Sequence, residues 1–142
     1  MSGDFLDSNV ILYGFDEDEQ KRERAWQIIN EALRGDACIS FQVVQEVLNR
    51  LTRRSPSPVT FEDLRPTFED VLIPLWRVNP SQTLYRHALT THLRYGYGFY
   101  DSLIIAAALE ASCTRLLSED LQHGQRIDGL TIENPFRDLV TP

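Results

Sequence analysis

The sequence predicts an α/β fold in three layers, with a mostly parallel central sheet covered by helices on both faces. Residues 1–142 are expected to form one domain. Three observations lead there. Short apolar runs of strand length alternate with longer segments of helical period, as in a parallel sheet whose crossovers are helices. A chain of 142 residues buries about two-thirds of its extended surface, so its core needs no disulfide or metal staple. With 42% apolar and 25% charged residues, the composition is globular rather than disordered.

Phe5-Leu6 is the first strand candidate, ending at Asp7, and Val10-Ile-Leu-Tyr13 reads as a short helix. Asp16 to Glu19 precede a stretch in which Ala25, Trp26, Ile28, Ile29 and Leu33 recur at helical spacing until Gly35 stops it. Those acids suit the positive end of a helix dipole, with Glu17 and Lys21 spaced to pair. Ala37-Cys-Ile-Ser40 reads as a buried strand. Phe41 to Arg53 follows as a helix whose inner stripe is Val43, Val44, Val47, Leu48 and Leu51. Gln42, Glu46, Asn49, Arg50 and Arg53 form the opposite, polar stripe. Ser55-Pro-Ser-Pro58 looks like a loop within the domain. Thr60-Phe-Glu-Asp63 resembles a capping box, and Pro66 is expected to kink or interrupt the helix it starts. Leu75-Trp-Arg-Val78 is the next strand, Ser81 to Tyr95 a helix ended by Gly96, and Asp101 to Ser112 a strongly apolar helix. Arg115-Leu-Leu-Ser118 and Leu130-Thr-Ile-Glu133 complete the strands.

Charge and cysteine content narrow the function. Asp and Glu total 21 against 14 Lys and Arg, a net charge of −7, which excludes a protein that coats nucleic acid by charge alone. Cys38 and Cys113 are too few for a zinc cluster and read as small buried residues of a reducing compartment. The N-terminal residues carry acids where a secretory signal would carry bases. The longest apolar run, Leu103 to Leu109, is far short of the ~20 residues of a membrane span. A soluble, cytoplasmic protein is expected.

In a parallel α/β sheet, sites form at the carboxyl ends of the strands. Asp7 ends the first strand, Asp120 follows the strand at 115–118, and Asp101 opens a helix. Glu46 lies about a turn and a half into the helix after the strand at 37–40. Taken singly each has an ordinary explanation: Asp101 as a helix cap worth ~1 kcal/mol, Asp7 as a turn residue, Asp120 as another cap. Together they converge on one sheet edge. Carboxylates gathered in one cleft repel, so some stay protonated unless a cation joins them. Mg²⁺ or Mn²⁺, one ion or two, suits carboxylate and water oxygens. Such ions activate water for in-line attack on a phosphodiester, with no covalent enzyme intermediate.

Leu6-Asp7-Ser-Asn9-Val-Ile-Leu-Tyr13 resembles the opening motif of PIN-domain ribonucleases. Val44-Gln-Glu46-Val-Leu-Asn-Arg50 resembles their second motif, Phe99-Tyr-Asp101-Ser-Leu-Ile-Ile-Ala-Ala107 their third, and Leu116-Leu-Ser-Glu-Asp120-Leu their fourth. The likeness runs in order over nearly the whole chain and is greatest to the VapC toxins of bacterial toxin–antitoxin pairs. It implies a PIN-like fold and a Mg²⁺-dependent endoribonuclease (Mn²⁺ substituting) with Asp7, Glu46, Asp101 and Asp120 as catalytic and metal-binding acids. Asn9 and Ser118 match positions that support the site through hydrogen bonds. Glu119 stands where the family varies, able to assist or replace Asp120. A homodimer and a cognate antitoxin occupying the cleft are implied as well.

Other features have plainer explanations. His87 and His92 lie about 140° apart around a helix and cannot share a metal; His123 reads as a surface residue. Tyr95, Tyr97, Phe99 and Tyr100 surround two glycines beside Asp101, suited to core packing or to stacking on unpaired bases. Arg50, Arg53 and Arg54 could contact RNA phosphates or simply solvate a helix end. Two alternatives stand beside the nuclease: a PIN-like shell that binds RNA or a partner without cutting, and a receiver-like phosphoacceptor domain. The latter needs a lysine near its acids, and the one lysine, Lys21, is expected far from the strand ends.

Overall fold

A computed structural model describes residues 3–53 and 59–139; the expected loop Ser55–Pro58 and Arg54 lie outside them. The strands are β1 (Asp4–Leu6), β2 (Ile39–Ser40), β3 (Trp76–Val78), β4 (Arg115–Leu117), β5 (Arg126–Ile127) and β6 (Leu130–Glu133). The helices are α1 (Ser8–Leu12), α2 (Glu19–Arg34), α3 (Phe41–Arg53), α4 (Phe61–Thr67), α5 (Ile73–Leu75), α6 (Gln82–Tyr95) and α7 (Phe99–Glu110). The α/β architecture and the mostly parallel sheet are as expected. β1, β4, β6 and β5 lie side by side in that order, and β2 pairs with β3. A parallel bridge between Phe5 and Cys38 ties the two groups, through Leu6 N to Cys38 O at 3.1 Å and Cys38 N to Asp4 O at 2.9 Å. Among the described residues only β5 runs antiparallel, against β6.

Burial decides which helices are fixed. α7 is buried from Ser102 to Ala108, all round rather than on one stripe, so it is a core helix. Each buried Leu or Ile there contributes roughly 1.5–3 kcal/mol, which pins the first turn of α7 where Asp101 sits. α3 buries Val43, Val44, Val47 and Leu51 as its inner stripe predicts. Asp18 caps α2 by accepting from Gln20 N at 3.0 Å and Lys21 N at 3.3 Å.

Four points of the sequence reading are sharpened by the structure. Pro66 interrupts the α-helix, as expected, without ending the helical path: α4 stops at Thr67 and passes directly into a π-type turn over Phe68–Leu72. Proline removes one backbone donor from the helix. The apolar helix starts at Phe99 with Gly98 as its cap, so Asp101 is not a cap and makes no capping bond. Gln42, assigned to the solvated stripe, is 4% exposed, because the first turn of α7 covers it. β5 escaped notice because two residues have no readable period, although Asp128-Gly129 is a hairpin signal. Both adopt the positive φ such a turn needs, 49° and 88°.

Candidate functional site

Strand register builds the first half of the site. Leu6 pairs with Leu117 across β1 and β4, and Asp7 N donates to Leu117 O at 3.0 Å. The two chains therefore leave the sheet together, Asp7 entering α1 beside Ser118. Asp7 is 5% exposed. One carboxylate oxygen accepts from Ser8 N at 2.8 Å and the other from the Ser118 hydroxyl at 2.7 Å. Ser118 Oγ in turn accepts from Asp120 N at 3.2 Å. Asn9 closes the loop: its Nδ2 donates to Asp120 Oδ2 at 3.1 Å and its Oδ1 accepts from Glu119 N at 3.2 Å.

The second half comes from two helix beginnings. α3 follows β2 without a gap, which places Glu46 in its second turn near the same edge. Gln42, one turn earlier, donates to Tyr100 O at 3.0 Å and to Glu46 Oε2 at 3.4 Å. Asp101 stands in the first turn of α7. Gln42, bonded to the Glu46 carboxylate, was not singled out by sequence; a polar residue one turn before an acid is the only signal that could have found it.

Electrostatics joins the four acids. Burial pushes the Asp7 carboxyl up to about 6, the Ser118 and Ser8 donors pull it down, and the charges of Glu46 and Asp120 push it up again. Glu46 is raised, first by burial and then by Asp101 and Asp120, against the Ser8 and Gln42 hydrogen bonds. Asp101 is raised by burial and by Asp120. Asp120 thus acts on each of the other three, and desolvation plus like charge makes this a site short of positive charge. As the side chains stand, no three His, Cys, Asp or Glu among the described residues are disposed to hold a metal ion. The donor set nevertheless fits one chemically: these are hard carboxylate oxygens, the ligands of Mg²⁺ and Mn²⁺, and Asp7, Glu46, Asp101 and Asp120 are the residues that could supply them.

Glu119 is turned elsewhere. Its carboxylate accepts from the Tyr13 hydroxyl and lies 3.8 Å from Lys21 Nζ. Lys21 was expected far from the strand ends and paired with Glu17. Instead the 3-10 turn Tyr13–Phe15 folds α2 back, and Lys21 reaches Tyr13 Oη at 3.4 Å and Glu119. Arg50 and Arg53 are exposed on α3. His123 is exposed, as expected, and its Nδ1 accepts from Asn134 N at 3.0 Å. Tyr95 and Tyr97 are half-buried, whereas Phe99 and Tyr100 are exposed.

A parallel sheet with carboxylates at its carboxyl edge, one on α3 and one on α7, is the arrangement that the four sequence motifs imply. The chain belongs to the PIN domain family, which matches residues 5–128. No curated protein matches it significantly by sequence. Among solved structures it is similar to a toxin–antitoxin complex from Klebsiella pneumoniae, with 19% identity, 94% of this chain and 98% of that one covered, and a TM-score of 0.69. FitAcB from Neisseria gonorrhoeae is similar at 19% identity, with 94% and 99% covered and a TM-score of 0.66. VapC20 of Mycobacterium tuberculosis, a sarcin–ricin loop cleaving toxin, is similar at 16% identity, with 83% and 92% covered and a TM-score of 0.61. At these identities the likeness is one of fold. No helix among the described residues is long and apolar enough to cross a membrane.

Proposed function

We propose that this PIN-domain protein is a metal-dependent endoribonuclease, the toxin of a toxin–antitoxin pair, formed by one domain over residues 1–142 and acting in the cytoplasm. The observation that carries the reading is the placement of Asp7 and Asp120 where β1 and β4 end together, joined through Ser118, with Glu46 and Asp101 near enough for the Asp120 charge to raise all three other carboxyls. These four acids would hold Mg²⁺, with Mn²⁺ as substitute. When bound, the ion supplies an activated water and neutralises charge that develops on the phosphodiester. The protein's own part is to fix and shield the acids. Ser118 and the Ser8 amide orient Asp7, Asn9 fixes the Glu119–Asp120 backbone and the Asp120 carboxylate, and Gln42 holds Glu46. Glu119 braces the loop through Tyr13 and Lys21 and is not the fourth ligand. Arg50 and Arg53, exposed on the helix that carries Glu46, are suited to RNA phosphates.

An acid-lined cleft on an acidic protein attracts basic side chains, so the partner that neutralises it is an antitoxin segment bearing Arg or Lys. A homodimer is part of the same reading. The competing reading is a PIN shell that binds RNA without cutting it, and the observation in its favour is that no three acids among the described residues are disposed to hold a metal as they stand. Cleavage of a mixed RNA pool by the purified protein separates the two. Mg²⁺ or Mn²⁺ should support cutting, and chelator or Asp7→Asn should stop it. Cleavage indifferent to both would overturn the proposal, and tight RNA binding with no cleavage would establish the shell.

A further inference from the structure

We propose that Gln42 is a positioning residue: its side-chain amide holds the Glu46 carboxylate and ties α3 to the first turn of α7, which carries Asp101. The inference rests on the metal-dependent reading above. Gln42 is 4% exposed, and its Nε2 lies 3.0 Å from Tyr100 O and 3.4 Å from Glu46 Oε2. Both neighbours are acceptors, so the NH₂ end of the amide must face them. One nitrogen therefore serves two partners, an acid of the site and the carbonyl of the residue before another.

The other end of the amide argues that this is not a stability device. Gln42 Oε1 is buried and has no hydrogen-bond partner among the described residues. A buried acceptor left without a donor destabilises the fold, whereas methionine has nearly the same length and no polar atom to satisfy. What only the glutamine does is present two N–H groups to Tyr100 and Glu46. A local rule broken without a stabilising return is expected at functional positions, and residues that orient metal ligands control affinity through geometry.

Four proteins test the assignment: wild type, Gln42→Met, Glu46→Gln and the double variant. Mn²⁺ binding is followed by electron paramagnetic resonance and metal-free melting by circular dichroism. Gln42→Met should melt at or above the wild-type temperature yet bind Mn²⁺ about tenfold more weakly. In the Glu46→Gln background the same change should alter affinity by less than about twofold, because a residue acting through Glu46 has nothing left to act on. Unchanged Mn²⁺ affinity in Gln42→Met, or equal weakening in both backgrounds, overturns the proposal. Gln42→Leu serves if Gln42→Met does not fold, and failure of both to fold makes the glutamine structural and also overturns it. RNA cleavage by wild type, run alongside, keeps the two claims apart. A wild type that binds Mn²⁺ and cuts, next to a Gln42→Met of wild-type affinity, removes the positioning role alone. A wild type that neither binds nor cuts removes both.

Discussion

The Ser118 hydroxyl donates to Asp7 at 2.7 Å while its oxygen accepts the amide of Asp120 at 3.2 Å. A serine hydroxyl has one proton and two lone pairs. Asn9 Nδ2, at 3.4 Å, takes the remaining one. A fully buried Ser118 thereby links two acids that lie 113 positions apart in sequence, and it does so where β1 and β4 end together.

Ser118→Ala should therefore harm the site beyond its effect on the fold. Asp7 Oδ2 and the Asp120 amide would each lose a partner, a loss of about 1–3 kcal/mol for a buried group left unsatisfied. With its strongest downward influence gone, the Asp7 carboxyl would rise further above its ordinary range. Urea denaturation should show the stability loss, and Mn²⁺ affinity should fall about 10–100-fold. Wild-type affinity in this variant would mean that Ser118 does not orient Asp7.

Asp7 makes the metal-free protein pH-sensitive in a definite direction. Its folded carboxyl is pushed up to about 6 from an ordinary 3.8, so between those values the native state binds more protons than the unfolded one. Stability then falls as pH rises through that window. Two units correspond to roughly 3 kcal/mol at neutral pH, an upper value because Asn has one acceptor oxygen and so keeps only one of the two bonds that Ser8 and Ser118 donate to Asp7. Asp7→Asn should raise the melting temperature of metal-free protein at pH 7, with the gain fading toward pH 4. Mn²⁺ should raise the wild-type melting temperature and leave that of Asp7→Asn unmoved. A variant less stable than wild type at pH 7 would contradict the assigned burial cost.

Much of the site was legible because βα order alone puts strand ends on one edge. Asp7, Glu46, Asp101 and Asp120 needed no side-chain geometry to be gathered there. Gln42 was misread for a physical reason: a helical wheel sorts residues by polarity and cannot see that another helix's first turn will cover a polar one. Lys21 was misplaced because the fold-back at Tyr13–Phe15 is tertiary, with Trp26 Nε1 bonded to Gly14 O at 2.8 Å and no local periodicity to announce it. Asp101 was expected to open its helix, with a cap as its ordinary explanation taken singly, because aspartate is a favoured cap residue. The preceding Gly98 took that place, leaving the carboxylate free of a capping bond.

Glu119 and Asp120 are adjacent, and only their partners tell them apart. Tyr13 and Lys21 engage Glu119, whereas Asp120 bonds to Asn9 and acts on all three other acids. Asp120→Asn should abolish metal-dependent cleavage. Glu119→Gln should retain it within a few-fold, with a stability loss under about 1 kcal/mol, the scale of a partly exposed ion pair. Cleavage rates and melting curves of the two variants give the comparison, and the reverse ranking would make Glu119 the fourth acid.

Helix α6 carries apolar residues on two faces. Leu84 and Ala88 are buried on one. On the other, Tyr85, Leu89 and Leu93 recur every four residues and end at a leucine that is 83% exposed. Phe99 extends that outer face, its ring stacked on Tyr85 at 6.3 Å with 7° between planes. A row of exposed large apolar side chains on one helix marks an association surface more often than a monomer's solvent face, and two copies meeting along α6 would bury it symmetrically. Light scattering at tens of micromolar should give a dimer for wild type and a monomer for Leu89→Glu/Leu93→Glu, whose circular dichroism should match wild type because neither leucine is in the core. The melting temperature of wild type should rise with concentration and that of the variant should not. A monomeric wild type, or a variant that stays dimeric, would assign the stripe to a different partner and remove the homodimer from the proposal.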